Sequence, residues 1–148
     1  MNIIDLDNQT SLNVELDTLE KIAASLTKHM IEVIITDNVN IAKLNAEHRE
    51  KDVPTDVLSF PIEAVFEGVT LETMPLGSIV ISDNYVKEKA LEFKHSEDAE
   101  LSLLFIHGLL HLLGYDHEVD NGEMRTKEKE IIEAFDLPSS LIIRTEEF

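Results

Sequence analysis

From Leu101 to Leu113 the chain carries an almost unbroken apolar run, LSLLFIHGLLHLL, broken mainly by Ser102 and two histidines. A helix that is apolar nearly all round has no face to offer water, so it must form the buried centre of the fold. The run is too short to cross a bilayer. Ser96 supplies an N-cap hydroxyl, and Glu97, Asp98 and Glu100 favour the positive end of the helix that follows. His107 and His111 stand four positions apart, about 6 Å of rise and roughly 40° of rotation, and so project from one face. Gly114 offers the left-handed residue that ends a helix, and Tyr115-Asp116 can swing His117 back to the same point. Three neutral imidazoles around one open position form the ligand set of a catalytic zinc site rather than a structural one. Half of the six histidines in the chain fall in these eleven residues, which weighs against chance clustering.

The spacing is similar to the metzincin pattern H-E-x-x-H-x-x-G-x-x-H, Gly114 included, but Gly108 stands where a protease has its glutamate. A glycine cannot accept a proton, so peptide hydrolysis by that route is not supported. Gly108 costs up to about 1 kcal/mol against alanine inside a helix. Either a ligand approaches the backbone there or the helix packs tightly at that point.

HGLLHLLGYDH resembles the signature H-G-x-L-H-L-x-G-Y-D-H of the YbeY family, metal-dependent endoribonucleases of bacterial ribosomal RNA maturation. A second block, LNAEHREKDVPTDVLSFP from Leu44 to Pro61, resembles the family's L-N-x-x-x-R-x-x-D-x-P-T-D-V-L-S-F-P. A third, LGSIVIS from Leu76 to Ser82, resembles L-G-D-I-x-I-S with Ser78 in place of the usual aspartate. The blocks occur in family order and the likeness covers most of the chain. The resemblance implies an α+β fold in which a mixed sheet of about four strands packs against a central metal-carrying helix. It also implies one zinc ion per chain, Arg49 as a catalytic residue, and single-stranded regions of small-subunit rRNA as substrate.

A chain of 148 residues makes one domain, spanning 1–148, with a real core. With no cysteine, disulfides, thiol catalysis and Cys-ligated zinc are all excluded. The N-terminus, MNIIDLDNQT, lacks a basic-then-apolar signal, so a soluble cytoplasmic protein with no membrane partner is expected. The charge balance opposes a polyanionic partner: 12 Lys+Arg against 30 Asp+Glu give a formal charge of −18. RNA is then engaged through the metal and a few local cations, or a ribosomal protein or assembly factor supplies the docking surface. Local cations occur at Arg49 and Lys51, at Lys87, Lys89 and Lys94, and at Arg125, Lys127 and Lys129.

Periodicity outlines the remaining elements. Asn2 to Leu6 reads as a strand. Asp17 or Thr18 caps a helix whose Leu19, Ile22, Ala23 and Leu26 share a face. Ile31 to Thr36 is a β-branched strand. A helix from about Val39 to His48 turns Ile41 and Leu44 inward, with Arg49 leaving its end. Thr55 to Phe60 reads as a short strand closed by Pro61, 62–75 as a loop or hairpin, and Leu76 to Ser82 as another strand. Ser82 or Asp83 caps a helix through Phe93, and a last helix spans about Gly122 to Phe135, with Met124, Ile131 and Phe135 buried.

Several side chains invite roles beside the three histidines. Arg49 can grip two equatorial oxygens of a phosphodiester as charge builds on them, although an arginine at a helix C-terminus also simply complements the dipole. Asp116 can orient an imidazole or cap a turn. Asp56 and Ser59 fall on opposite faces of their strand, and structural support of the site is the favoured reading for Asp56. Ser78 carries no charge, so any role needing a carboxylate there is in question. His48 reads as a surface residue, and nothing recommends His29 or His95. Phe60 and Tyr115 could stack on a base, but core packing is favoured for both. The leading expectation is a zinc-dependent, single-strand-specific endoribonuclease in rRNA processing and ribosome quality control. The alternatives are a non-catalytic module for ribosome assembly, stapled by its metal, and a metal hydrolase of a peptide or another ester.

Overall fold

The structure is a computed structural model that describes residues 2–62 and 74–147. The loop or hairpin expected over 62–75 lies for the most part outside them. The elements in chain order are β1 (Ile4–Asn8), α1 (Leu16–Leu26), β2 (Ile31–Thr36), α2 (Asn38–Arg49), β3 (Val57–Pro61), β4 (Gly77–Ser82), α3 (Asp83–Phe93), α4 (Glu97–Leu112), α5 (Glu123–Ala134) and α6 (Ser140–Arg144), with a 3-10 turn at Thr145–Glu147. The α+β class and the four-stranded mixed sheet are as expected. The strand order is β1-β2-β4-β3, with β1, β2 and β4 parallel and β3 antiparallel at one edge.

Strand alternation divides the core into two layers. Ile31, Val33, Ile35, Ile79 and Ile81 point to one face, where they meet Leu19 and Ile22 of α1 and Leu104, Phe105 and Leu109 of α4. Leu58 and Val80 point to the other face, against Ile41 of α2. The apolar run forms α4, and its residues from Ala99 to Leu110 are all buried. It packs on β3, β4, α1, α3, α5 and α6, so it is the hub of the molecule. Each fully buried Leu or Phe side chain there contributes about 2 kcal/mol of transfer free energy.

Caps at Ser82 and Ser96 form as expected, accepting from the amides of Tyr85 and Ala99. Elsewhere tertiary contacts override local signals. Neither Asp17 nor Thr18 caps α1; the helix starts earlier, with Glu15 at the cap position and no side-chain bond. Leu16 packs on the core, and the Glu20 carboxylate takes the amides of Ile3 and Ile4 at 3.0 and 2.9 Å, docking α1 on β1. β1 lies two residues further along than Asn2 to Leu6, because Asp7 and Asn8 pair with Ile34 and Ile35 while their side chains reach solvent. Pro61 does not close β3 but belongs to it, opposite Gly77, a position open to proline because the strand is an edge. The helix ending near Phe135 is not the last. α6 follows because Leu141 seats against Leu103 and Ile132, and five residues are too few to show a helical period.

Gly108 marks a close approach of α4 to the sheet. A Cβ there would stand 2.8 Å from Ile79 Cγ2, 3.2 Å from Ser59 Oγ and 3.3 Å from Val57 Cγ2. Ser59 also donates its hydroxyl to the Gly108 carbonyl at 3.0 Å. Tight packing, not a ligand against the backbone, explains the glycine. Overpacking of this kind costs about 1–3 kcal/mol, against about 1 kcal/mol gained in helix propensity. Gly108→Ala is therefore expected to lower stability by about 1 kcal/mol, read as a lower urea midpoint at unchanged slope. An unchanged or raised midpoint would contradict this packing account.

Candidate metal centre and cleft

The turn after α4 carries the third histidine back to the first two. Tyr115 N–H bonds Leu110 O and Gly114 N–H bonds His111 O, both at 3.0 Å, with Gly114 at φ 102°. That is a Schellman ending, which satisfies the last carbonyls and reverses the chain. Tyr115 packs against the core, so core packing is its role here. As a result one nitrogen from each of His107, His111 and His117 lies within 4.8 Å of the others. His107 is buried, and His111 and His117 are half-buried.

Glu128 of α5 stands behind the group, its Oε1 3.0 Å from His107 Nδ1 and the residue 1% exposed. A carboxylate there accepts a hydrogen bond from Nδ1–H and leaves the Nε2 lone pair pointing forwards. His107 Nε2 lies 3.2 Å from His111 Nε2. Two nitrogen lone pairs meeting at that distance need a cation or a shared proton between them. Oε2 of Glu128 is buried with no hydrogen-bond partner among the described residues, directly behind His107. Burial and the neighbouring His107 and His117 hold the His111 pKa below its usual value, which keeps the ring neutral and ready to ligate. The donor set fits a metal ion of borderline softness with an open coordination position.

Glu128 escaped the sequence reading, although it falls on the stripe that buries Met124 and Ile131, where a charge needs a reason. The start of α5 is set by Asp120, whose two oxygens accept from Gly122 and Met124 amides at 2.8 and 2.9 Å and whose pKa is lowered by those bonds.

The histidines open onto a cleft of about 1000 Å³ that Arg49, His48 and all of β3 also line. Val57 and Ser59 face α4, whereas Leu58 and Phe60 face α2. The cleft therefore crosses the β3 edge, with the histidines on one side and the end of α2 on the other. Arg49 is the last residue of α2 rather than the first beyond it, and it is exposed. Its position is set by Asn45: the carbonyl takes the Glu50 amide, with Glu50 at φ 59°, and the buried side chain donates to Val53 O at 3.0 Å.

The remaining sequence candidates separate. Asp56 lines the cleft, but one of its oxygens accepts from Val57 N at 2.8 Å and the other from Arg144 Nη2 at 2.8 Å. Arg144 is 2% exposed and also reaches Glu100, whose other oxygen meets His95 at 2.9 Å; His95 in turn meets Ser140. His95, which the sequence reading set aside, is thus part of a buried chain of polar groups tying α6 to the start of β3. Asp116 Oδ1 accepts from Glu118 N at 3.0 Å, forming a turn. Ser78 donates to Glu32 at 2.7 Å, so a carboxylate from the adjacent strand stands beside the position where the signature has its own. Among the candidate cations, Lys87, Lys89 and Lys127 pair with acidic residues on their own helices.

An α+β domain that gathers three histidines from a buried helix and its terminal turn, open to a cleft with an arginine on the far wall, has the architecture of a metal-dependent hydrolase. The family described as Endoribonuclease YbeY matches residues 4–136. A Sulfurovum protein named endoribonuclease YbeY is 64% identical over 97% of this chain and 98% of its own. One from Aliarcobacter butzleri is 57% identical over 96% and 99%. A Thermotoga maritima protein solved in solution superposes with a TM-score of 0.58 at 31% identity, covering 89% of this chain and 88% of that one. The chain belongs to the YbeY family of endoribonucleases. Membership decides for an enzyme over a non-catalytic module and for RNA over a peptide.

Two outcomes follow from the buried groups. Glu128→Gln is expected to weaken metal binding about 10- to 100-fold with the fold intact, measured by competition with a chelating dye. Unchanged affinity would remove Glu128 from the site. Burial, opposed by Arg144 and His95, raises the Glu100 pKa above its ordinary value near 4.5. A raised carboxyl pKa favours the folded state most below that ordinary value, and the contribution is lost as pH rises through the folded pKa. Stability of Glu100→Gln should therefore fall less than the parent's as pH rises above about 4.5. Parallel stability–pH curves would refute this.

Proposed function

We propose that this chain is a zinc-dependent, single-strand-specific endoribonuclease of small-subunit rRNA maturation and ribosome quality control, acting in the cytoplasm. The observation that carries the reading is the cleft itself, which puts Arg49 and the three histidines on either side of one edge strand. His107, His111 and His117 hold one zinc ion, which when bound supplies Lewis-acid polarisation of a phosphoryl oxygen. Arg49 binds the non-bridging phosphate oxygens from the opposite wall, and its planar fork matches two of them as charge develops. Ser59 and Asp56 hold the floor between these walls, Ser59 by its bond to α4 and Asp56 by its bond to Arg144. Asp116 shapes the turn that presents His117.

A chain with a formal charge of −18 has little long-range attraction for RNA, so a ribosomal protein or assembly factor brings it to its substrate. No helix among the described residues is long and apolar enough to cross a membrane.

Purified protein is expected to contain about one zinc per chain, lost in the His107→Ala/His111→Ala double variant. Metal content that survives the double variant would overturn the ligand assignment. Arg49→Ala should lower cleavage of single-stranded RNA by roughly 100-fold or more at unchanged zinc content, with only partial recovery in Arg49→Lys. Equal cleavage by parent and Arg49→Ala would end the assignment of Arg49 to the phosphate.

A further inference from the structure

We propose that His48, seated on Phe60, is a stacking platform for one unpaired nucleobase of the RNA strand; this rests on the endoribonuclease reading above. The two rings lie 4.7 Å apart between centroids at a tilt of 54°, and both line the cleft. Phe60 packs on the Ile41, Leu58 and Val80 cluster, which supports it from beneath. His48 is exposed above it and precedes Arg49 directly, at the end of α2. An aromatic ring held on a rigid support next to a phosphate-binding arginine offers a base its flat face one step from the bound phosphate.

Such a contact suits the charge of the chain. With 30 acidic against 12 basic residues, backbone neutralisation contributes little affinity. Stacking is insensitive to that deficit and works with any base. It also selects single strands, because a base paired within a duplex keeps both faces covered. The position of the platform, on the α2 side of β3, lets the strand cross the edge from the platform to the histidines.

The chain contains no tryptophan, so His48→Trp places a single indole on Phe60 as both replacement and reporter. Its emission is read in metal-free protein titrated with a 2′-O-methylated oligoadenylate, and with the same oligomer made abasic. Quenching by the first and not the second is expected. Equal quenching by both, or none by either, would overturn the platform. On cleavable single-stranded RNA with zinc, His48→Ala should raise KM about 5-fold or more with kcat little changed, and His48→Phe should restore KM. An active parent with unaltered KM in His48→Ala would refute the platform and leave the endoribonuclease reading standing. An inactive parent whose His48→Trp variant still shows base-dependent quenching would do the reverse.

Discussion

The distance between α4 and the β3–β4 pair governs everything else in this molecule. Gly108 removes the side chain that would hold the helix away from Ile79, and Ser59 closes the remaining gap with a hydrogen bond to the Gly108 carbonyl. Because His107 and His111 flank this contact on the same helix, the approach that packs the core also sets the histidines beside the edge strand. A larger residue at the contact would widen the cleft and tilt His107 and His111 together. Packing density and site geometry are here one constraint.

Buried charge is placed with similar economy. Glu128 penetrates the core only where His107 can donate to it, and Glu100 only where Arg144 and His95 meet it. Desolvation still dominates at Glu100, whose pKa is raised despite both partners. Buried polar pairs of this kind add little net stability but are costly to break singly. Their effect is to lock orientation: one carboxylate fixes which nitrogen of His107 faces the cleft, and the Arg144 chain fixes where β3 begins. Both devices come from the C-terminal third of the chain: Glu128 lies 21 positions beyond His107, and Arg144 lies 88 beyond Asp56.

The local motifs were legible because they encode short-range geometry. The H-x3-H-x5-H spacing with Gly114 specifies a helix face and a Schellman turn, and the structure shows that turn with the predicted residues. Serine caps at Ser82 and Ser96, the β-branched strand of Ile31–Thr36 and the all-apolar helix were read correctly for the same reason. Element starts that depend on docking were not. α1 begins before its polar cap candidates because Leu16 and Glu20 bind it to the sheet, and α6 exists because Leu141 has a pocket to fill.

The sequence by itself determined the fold class, the central helix, the three clustered imidazoles and, through its signature blocks, the family. All of these depend on residues close in the chain or on motifs long enough to be unique. Only the tertiary structure decided that Gly108 serves packing, that His48 joins the cleft, and that Glu128, Glu100, His95 and Arg144 work behind the site. Those contacts close long loops, such as the separation of 88 positions from Asp56 to Arg144. No local pattern encodes such a pairing, because its energy exists only once the core has removed the water that would otherwise solvate each charge.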